Sequence, residues 1–365
     1  MPGTVRAVPG TVVSEAGTAV RRAAVAGRDG GAEGGLMESR TSPAGRPGAL
    51  RATFGPVAGA AVMATGIVST GCHLVGAEVV SLVLLGVGGA GWALLVGIFL
   101  QHFLGAREQW RRESRTAASL TGVAATSVLG TRVVLLGWAA AGWVLLAVAA
   151  AGWVVLLPQV VRRLGRRVPG SAYLTCVATQ SLGVLGATLA PATGVTWPLP
   201  VAVVLLVAGF GLYVLVLLHF DFRQLQEGAG DHWVACGALA ISALAAGKLT
   251  AASGEPLGWA EPLRSWLSAV TFVLLLAALA WYAVIAAAEL RRPRPGYDPR
   301  RWATVFPLGM TAVAALTAAG EAGPATSGWL DPLGRALLWV AVAVWALVAV
   351  GSAKRLAGRA LRRTP

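Results

Sequence analysis

Charge is scarce in this sequence. Only 13% of its 365 residues are Asp, Glu, Lys or Arg, about half the share of a soluble domain. Chemistry-bearing side chains are scarce too. The three cysteines, Cys72, Cys176 and Cys236, lie far apart in apolar segments, with no CxxC or Cys/His spacing. That leaves no metal site and no disulfide framework to build on, and no cofactor is expected. The four histidines include His102, His219 and His232 at the ends of apolar runs, without companion ligands. No HExxH, GxSxG or paired carboxylates occur within the apolar runs, so a membrane-embedded enzyme has no support. Strands of about ten residues with period two are absent, which excludes a transmembrane barrel.

Long apolar runs are what the sequence has. It is 56% hydrophobic with a mean hydropathy of +0.68. Runs of about 18 residues or more, enough to cross a hydrocarbon core, recur along it. We read ten spans, near 54–76, 79–104, 116–130, 133–160, 171–190, 197–220, 232–250, 265–289, 303–320 and 332–353. Only Thr131 and Arg132 separate the third from the fourth. Residues 1–52 hold no apolar core of signal-peptide length and read as a disordered cytoplasmic tail. Met37 is a candidate start within it. Residues 53–353 form the membrane domain, and 354–365 a basic cytoplasmic tail.

The net charge of +14 follows from topology. With ten spans, 26 of the 30 Lys and Arg fall on one side, leaving Arg132, Lys248, Arg264 and Arg335 on the other. That split places both termini in the cytoplasm of a multi-pass cell-membrane protein. The basic residues show no zinc-finger spacing and no basic–aromatic platform, so no nucleic-acid partner is expected.

The spans alternate in kind. Even ones are bulky, as in "WVLLAVAAAGWVVLL" and "VAVVLLVAGFGLYVLVLLHF". Odd ones are small and hydroxylated, as in "VMATGIVSTG", "TCVATQSLGVLGATLA" and "GMTAVAALTAAGEAG". None of the fourteen tryptophans lies in the body of an odd span. Bulky helices suit lipid; small ones suit close packing or the wall of a polar cavity. Five hairpins follow, with the odd helices in an inner ring and the even helices outside. Stripes at helical spacing mark Thr65, Ser69, Gly122, Thr126, Thr175, Thr179, Ser242, Gly309, Met310 and Thr317 as pore-lining candidates. A packing seam whose hydroxyls bond back to their own helix is the competing reading.

"VMATGIVSTG" in the first span and "RRWATVFPLGMTAVA" leading into the ninth resemble the tellurite-resistance and C4-dicarboxylate transporter family, which includes slow-type anion channels. The resemblance covers residues 54–353. It implies five hairpins around a pseudo-five-fold central pore, a homotrimer, and transport of small inorganic or organic anions such as chloride, nitrate, sulfite or malate. It also implies a pore gate, which maps onto Phe306. The chain departs from the family in having Ala64 where a glycine is usual, and no proline within its third and fifth spans.

A path for anions needs hydroxyls more than buried full charges, since a lone buried arginine would bind too tightly for release. The middles of the odd spans hold no arginine. Lys248 and Glu321 stand near the outer mouth, and Glu78 reads as loop. His73 reads as an interfacial polar residue, with a protonation switch as the other reading. A passive channel or facilitator is the leading expectation. Proton-coupled export of a C4-dicarboxylate or sulfite, with Glu321 or His73 carrying the proton, is the alternative.

Overall fold

The computed structural model describes residues 47–105, 108, 114–227, 230–253, 261–293 and 297–361, with side chains from residue 58 to 358 of these. The described residues cluster as one compact unit. Among the described residues the fold is all-α, with ten helices of 16 residues or more. They are α1 (Pro47–Leu74), α2 (Glu78–Gly105), α3 (Leu120–Leu135), α4 (Ala139–Val161), α5 (Leu174–Thr193), α6 (Pro198–His219), α7 (Val234–Ala252), α8 (Glu261–Arg291), α9 (Trp302–Glu321) and α10 (Pro324–Leu361). Nine are long and apolar enough to cross a membrane; the apolar portion of α1, Ala58–Leu74, is shorter.

Composition decides which helices are inside. In α3, α5, α7 and α9, 72–100% of the most apolar stretch is buried; in α2, α4, α6, α8 and α10 it is 17–28%. The outer helices display Val79, Leu104, Leu218 and Leu347 with about three-quarters of their surface exposed. Such surfaces are stable only where the solvent is itself apolar. Each odd helix packs on the even helix that follows it. The odd helices also close on one another: α1 on α3, α3 on α5, α5 on α7, α7 on α9, and α9 back on α1. Missing side chains permit this approach. A Cβ on Gly309 would lie 3.0 Å from the Ile67 side chain, and one on Gly237 would lie 2.9 Å from Pro307.

The hairpins share local devices. The turns after α1, α3 and α5 contain Gly76, Gly137 and Gly194 at φ 80°, 87° and 71°, left-handed positions that favour glycine. Short 3-10 turns at Ala117–Ser119, Gly170–Tyr173, Asp231–Trp233 and Pro299–Arg301 lead into α3, α5, α7 and α9.

Several expected boundaries move. Thr131 and Arg132 are not a loop: α3 continues through them to Leu135, and the turn falls at Leu136–Trp138. The Thr131 hydroxyl donates to the Ser127 carbonyl at 3.0 Å and Arg132 is ion-paired, so neither residue ends the helix. Glu78 is not plain loop but the first residue of α2. The fifth helix extends past its expected end and takes in Pro191. The expected N-terminal tail and the Met37 start lie outside the described residues up to 46, while residues 47–52 belong to α1. Residues 354–361 continue α10, and 362–365 lie outside the description.

Candidate functional site

A narrow cavity of about 20 Å³ lies among the odd helices, room for a body the size of water. Its wall has a simple rule. Helix α1 contributes Ile67, Thr70 and Leu74; α3 contributes Val128, Thr131 and Leu135; α7 contributes Ile241, Leu244 and Lys248; α9 contributes Met310, Val313 and Thr317. Each set is i, i+3, i+7, one face of a helix. Helix α5 supplies the first two positions of the same set, Ser181 and Val184. Among the described residues, none from an even helix borders this wall. Five segments with little sequence in common thus present the same register to one axis.

One turn before the first position of each set stand Met63, Ala124, Val177, Gly237 and Phe306, all buried. Phe306 has no exposed surface. Its Cε1 lies 3.1 Å from where a Cβ on Gly237 would be, so the ring occupies the space that the absent side chain leaves. Pro307 follows it inside α9. Having no N–H, Pro307 removes one backbone bond from the turn that carries the ring.

Of the pore-lining candidates, only Met310 and Thr317 border this cavity, together with the mouth residue Lys248. The hydroxyls of Thr65, Thr126 and Thr179 instead meet outer helices. Each donates to the carbonyl four residues back, at 2.8 Å. Each accepts an indole N–H from the even helix preceding it in the ring. Trp345 of α10 donates to Thr65 at 3.0 Å, Trp92 of α2 to Thr126 at 2.9 Å, and Trp153 of α4 to Thr179 at 2.8 Å. All three threonines sit two residues before the first cavity position, about 200° around the helix. Ser69 and Ser81 exchange hydrogen bonds with each other's carbonyls at 2.7 and 2.8 Å, tying α1 to α2. Thr175 donates to Ala172 and Ser242 to Ala238. Gly122 has nothing near its missing side chain, and Gly309 faces Ile67 and Val68. Glu321 borders a separate, open groove of about 470 Å³ with Glu261, Arg264 and Thr250.

The tryptophan contacts predict a modest effect. In a Trp345→Phe protein the Thr65 hydroxyl keeps its bond to Ala61, so no group is stranded. The expected loss is about 1 kcal/mol, one neutral hydrogen bond, read from unfolding in mixed micelles. Wild-type flux should survive the change.

Arg132 was missed by sequence reasoning as a structural group. Its side chain is fully buried. Its Nε donates to Ser81 Oγ at 2.9 Å and its Nη2 to Glu78 Oε1 at 2.5 Å. The other Glu78 oxygen lies 2.6 Å from His73 Nδ1. One carboxylate thus joins α1, α2 and α3. No local pattern signals this, because Arg132 and Glu78 stand 54 residues apart.

A family described as voltage-dependent anion channel matches residues 53–353. The chain belongs to this family. The match spans all ten helices except the outer ends of the first and last, including every residue of the cavity wall. The family makes the chain a membrane anion channel or transporter. No curated protein matches the chain.

Proposed function

We propose that this family member is a passive channel for small monovalent anions. Its ten helices form five hairpins about a pseudo-five-fold axis, with both termini in the cytoplasm and the odd helices around the pore. The observation that carries this reading is the cavity wall, drawn among the described residues from the same i, i+3, i+7 face of the odd helices and from no outer helix. Phe306, one turn below that wall and sealed from solvent, is the gate of this reading, and the narrow cavity is its closed state. The trimer implied by the family resemblance belongs to the same proposal and is read directly from the mass of the purified protein–detergent complex.

The wall also speaks to substrate. A C4-dicarboxylate carries two charges several ångströms apart and calls for two cationic groups. Among the described residues, the cavity wall holds one basic side chain, Lys248. One amine, and one hydroxyl (Thr317) that makes no hydrogen bond, suit weak, reversible contact with a small ion.

The test is a flux screen of the purified protein in liposomes against chloride, nitrate, sulfite and malate, with and without a proton gradient. Chloride and nitrate should run down their own gradients without a pH difference. Transport that occurs only with a pH difference, or only with malate or sulfite, would replace the channel by a proton-coupled carrier.

A further inference from the structure

The hydroxyls in the cavity wall are not equivalent as donors. Thr70 donates its single proton to the Gly66 carbonyl at 3.0 Å, Thr131 to Ser127 at 3.0 Å, and Ser181 to Ala178 at 2.9 Å. With their protons committed, these hydroxyls have only lone pairs left to offer, and lone pairs repel an anion. Thr317 differs. Its Oγ1 is buried and has no hydrogen-bond partner, so its proton is uncommitted. A buried hydroxyl without a partner is costly, and the protein retains this one on the wall of a cavity.

The second uncommitted donor stands beside it. Lys248 is on α7 and Thr317 on α9, both at the i+7 position of the wall. The two helices touch here: Thr317 Cγ2 lies 3.5 Å from where a Cβ on Gly247 would be. Among the described residues no carboxylate lies within ion-pair distance of Lys248. Had this lysine served only to balance charge within the fold, a carboxylate in contact would be expected. Glu321 stands one turn beyond Thr317 on α9 and, among the described residues, makes no ion pair with Lys248.

We propose that the Lys248 ammonium and the Thr317 hydroxyl together bind one small monovalent anion, a halide or a nitrate-sized oxyanion, at the outer end of the cavity. The ammonium supplies charge and a charge-assisted hydrogen bond; the hydroxyl supplies a second, directional bond. Glu321, one turn along α9 from Thr317, weakens the site by like-charge repulsion of the anion. The inference extends the channel reading by naming the place where the permeant ion pauses. An ion path needs such sites to be occupied and vacated easily, and one cation offset by a nearby carboxylate meets that requirement.

Binding and flux are measured separately on the purified full-length protein. Binding is read as nitrate-dependent thermal stabilisation at constant ionic strength, with gluconate replacing nitrate. Flux is read as the half-saturating nitrate concentration in liposomes. Lys248→Met should raise both half-saturation values by about tenfold or more, the loss of a charged hydrogen bond. Thr317→Val, which keeps shape and loses the proton, should raise them by about three- to tenfold. Glu321→Gln should lower them. Wild-type half-saturation in both Lys248→Met and Thr317→Val overturns the site while leaving the channel standing. Nitrate stabilisation lost in either variant, from a wild type that passes no anion, keeps the site and overturns the channel. If Lys248→Met does not fold, Thr317→Val decides alone: an unchanged value refutes the site.

Discussion

Phe306→Ala raises chloride and nitrate flux through the reconstituted protein by about tenfold or more, an expectation that rests on where the ring sits. Phe306 is fully buried, one turn below the cavity, and its edge fills the space beside Gly237. The other residues at that level are Met63, Ala124, Val177 and Gly237. Three of these four are no larger than valine, so the ring is the largest side chain at that level, with Met63 the next. Removing the ring leaves Met63 as the one large side chain at that level, and the expected result is a wider path. A tenfold rise corresponds to lowering the barrier by about 1.4 kcal/mol, a small part of the cost of moving a large aromatic side chain aside. The opposing view treats Phe306 as packing. It predicts a loss of about 3–5 kcal/mol of stability, as for a core phenylalanine, with no gain in flux. Both effects are measurable in one preparation, by melting in detergent and by flux in liposomes. A folded Phe306→Ala protein with wild-type flux would remove the gate.

The inner and outer helices were legible in the sequence because lipid and a protein interior select different side chains. Val79 and Leu218 face outward and Gly66, Ser181 and Ala314 are buried, and composition alone separates the two groups. Rotation of the inner helices was not legible. Both faces of an inner helix are buried, one against outer helices and one toward the cavity, and both carry hydroxyls. Thr65 and Thr70 lie five residues apart and each bonds back to its own helix. Only Thr70 borders the cavity, while Thr65 receives an outer tryptophan. A signal existed in the spacing: Ile67, Val128, Ile241 and Met310 each begin the same i, i+3, i+7 pattern. It shows only when the helices are aligned with one another, because the residue types differ at each step. On α9 the stripe through Met310 and Thr317 coincided with that face. Arg132 was misplaced for another reason. A charged residue between two apolar runs reads as a turn, yet its partner comes from a different hairpin.

That pairing leads to an asymmetric result. Glu78→Gln should destabilise the protein more than Arg132→Met, by roughly a factor of two or more in the drop of melting temperature. The two partners differ in access to water. Arg132 has no exposed side-chain surface, whereas Glu78 is 43% exposed. An arginine cannot shed its proton to escape burial, and one of its terminal nitrogens, Nη1, already lacks a partner. Glutamine in place of Glu78 keeps the shape and an oxygen that can accept from Nη2, but it leaves the buried guanidinium charge without a counter-ion. Methionine in place of Arg132 keeps much of the volume and removes the buried charge. The carboxylate left behind is open to water and keeps its contact with His73. The double variant should therefore melt close to Arg132→Met, above Glu78→Gln, because the second change removes the charge that the first one stranded. Intrinsic tryptophan fluorescence during heating in detergent reads all three proteins on one scale. A double variant that melts at or below Glu78→Gln would mean that Glu78 acts through His73 or the helix start, and not by neutralising Arg132.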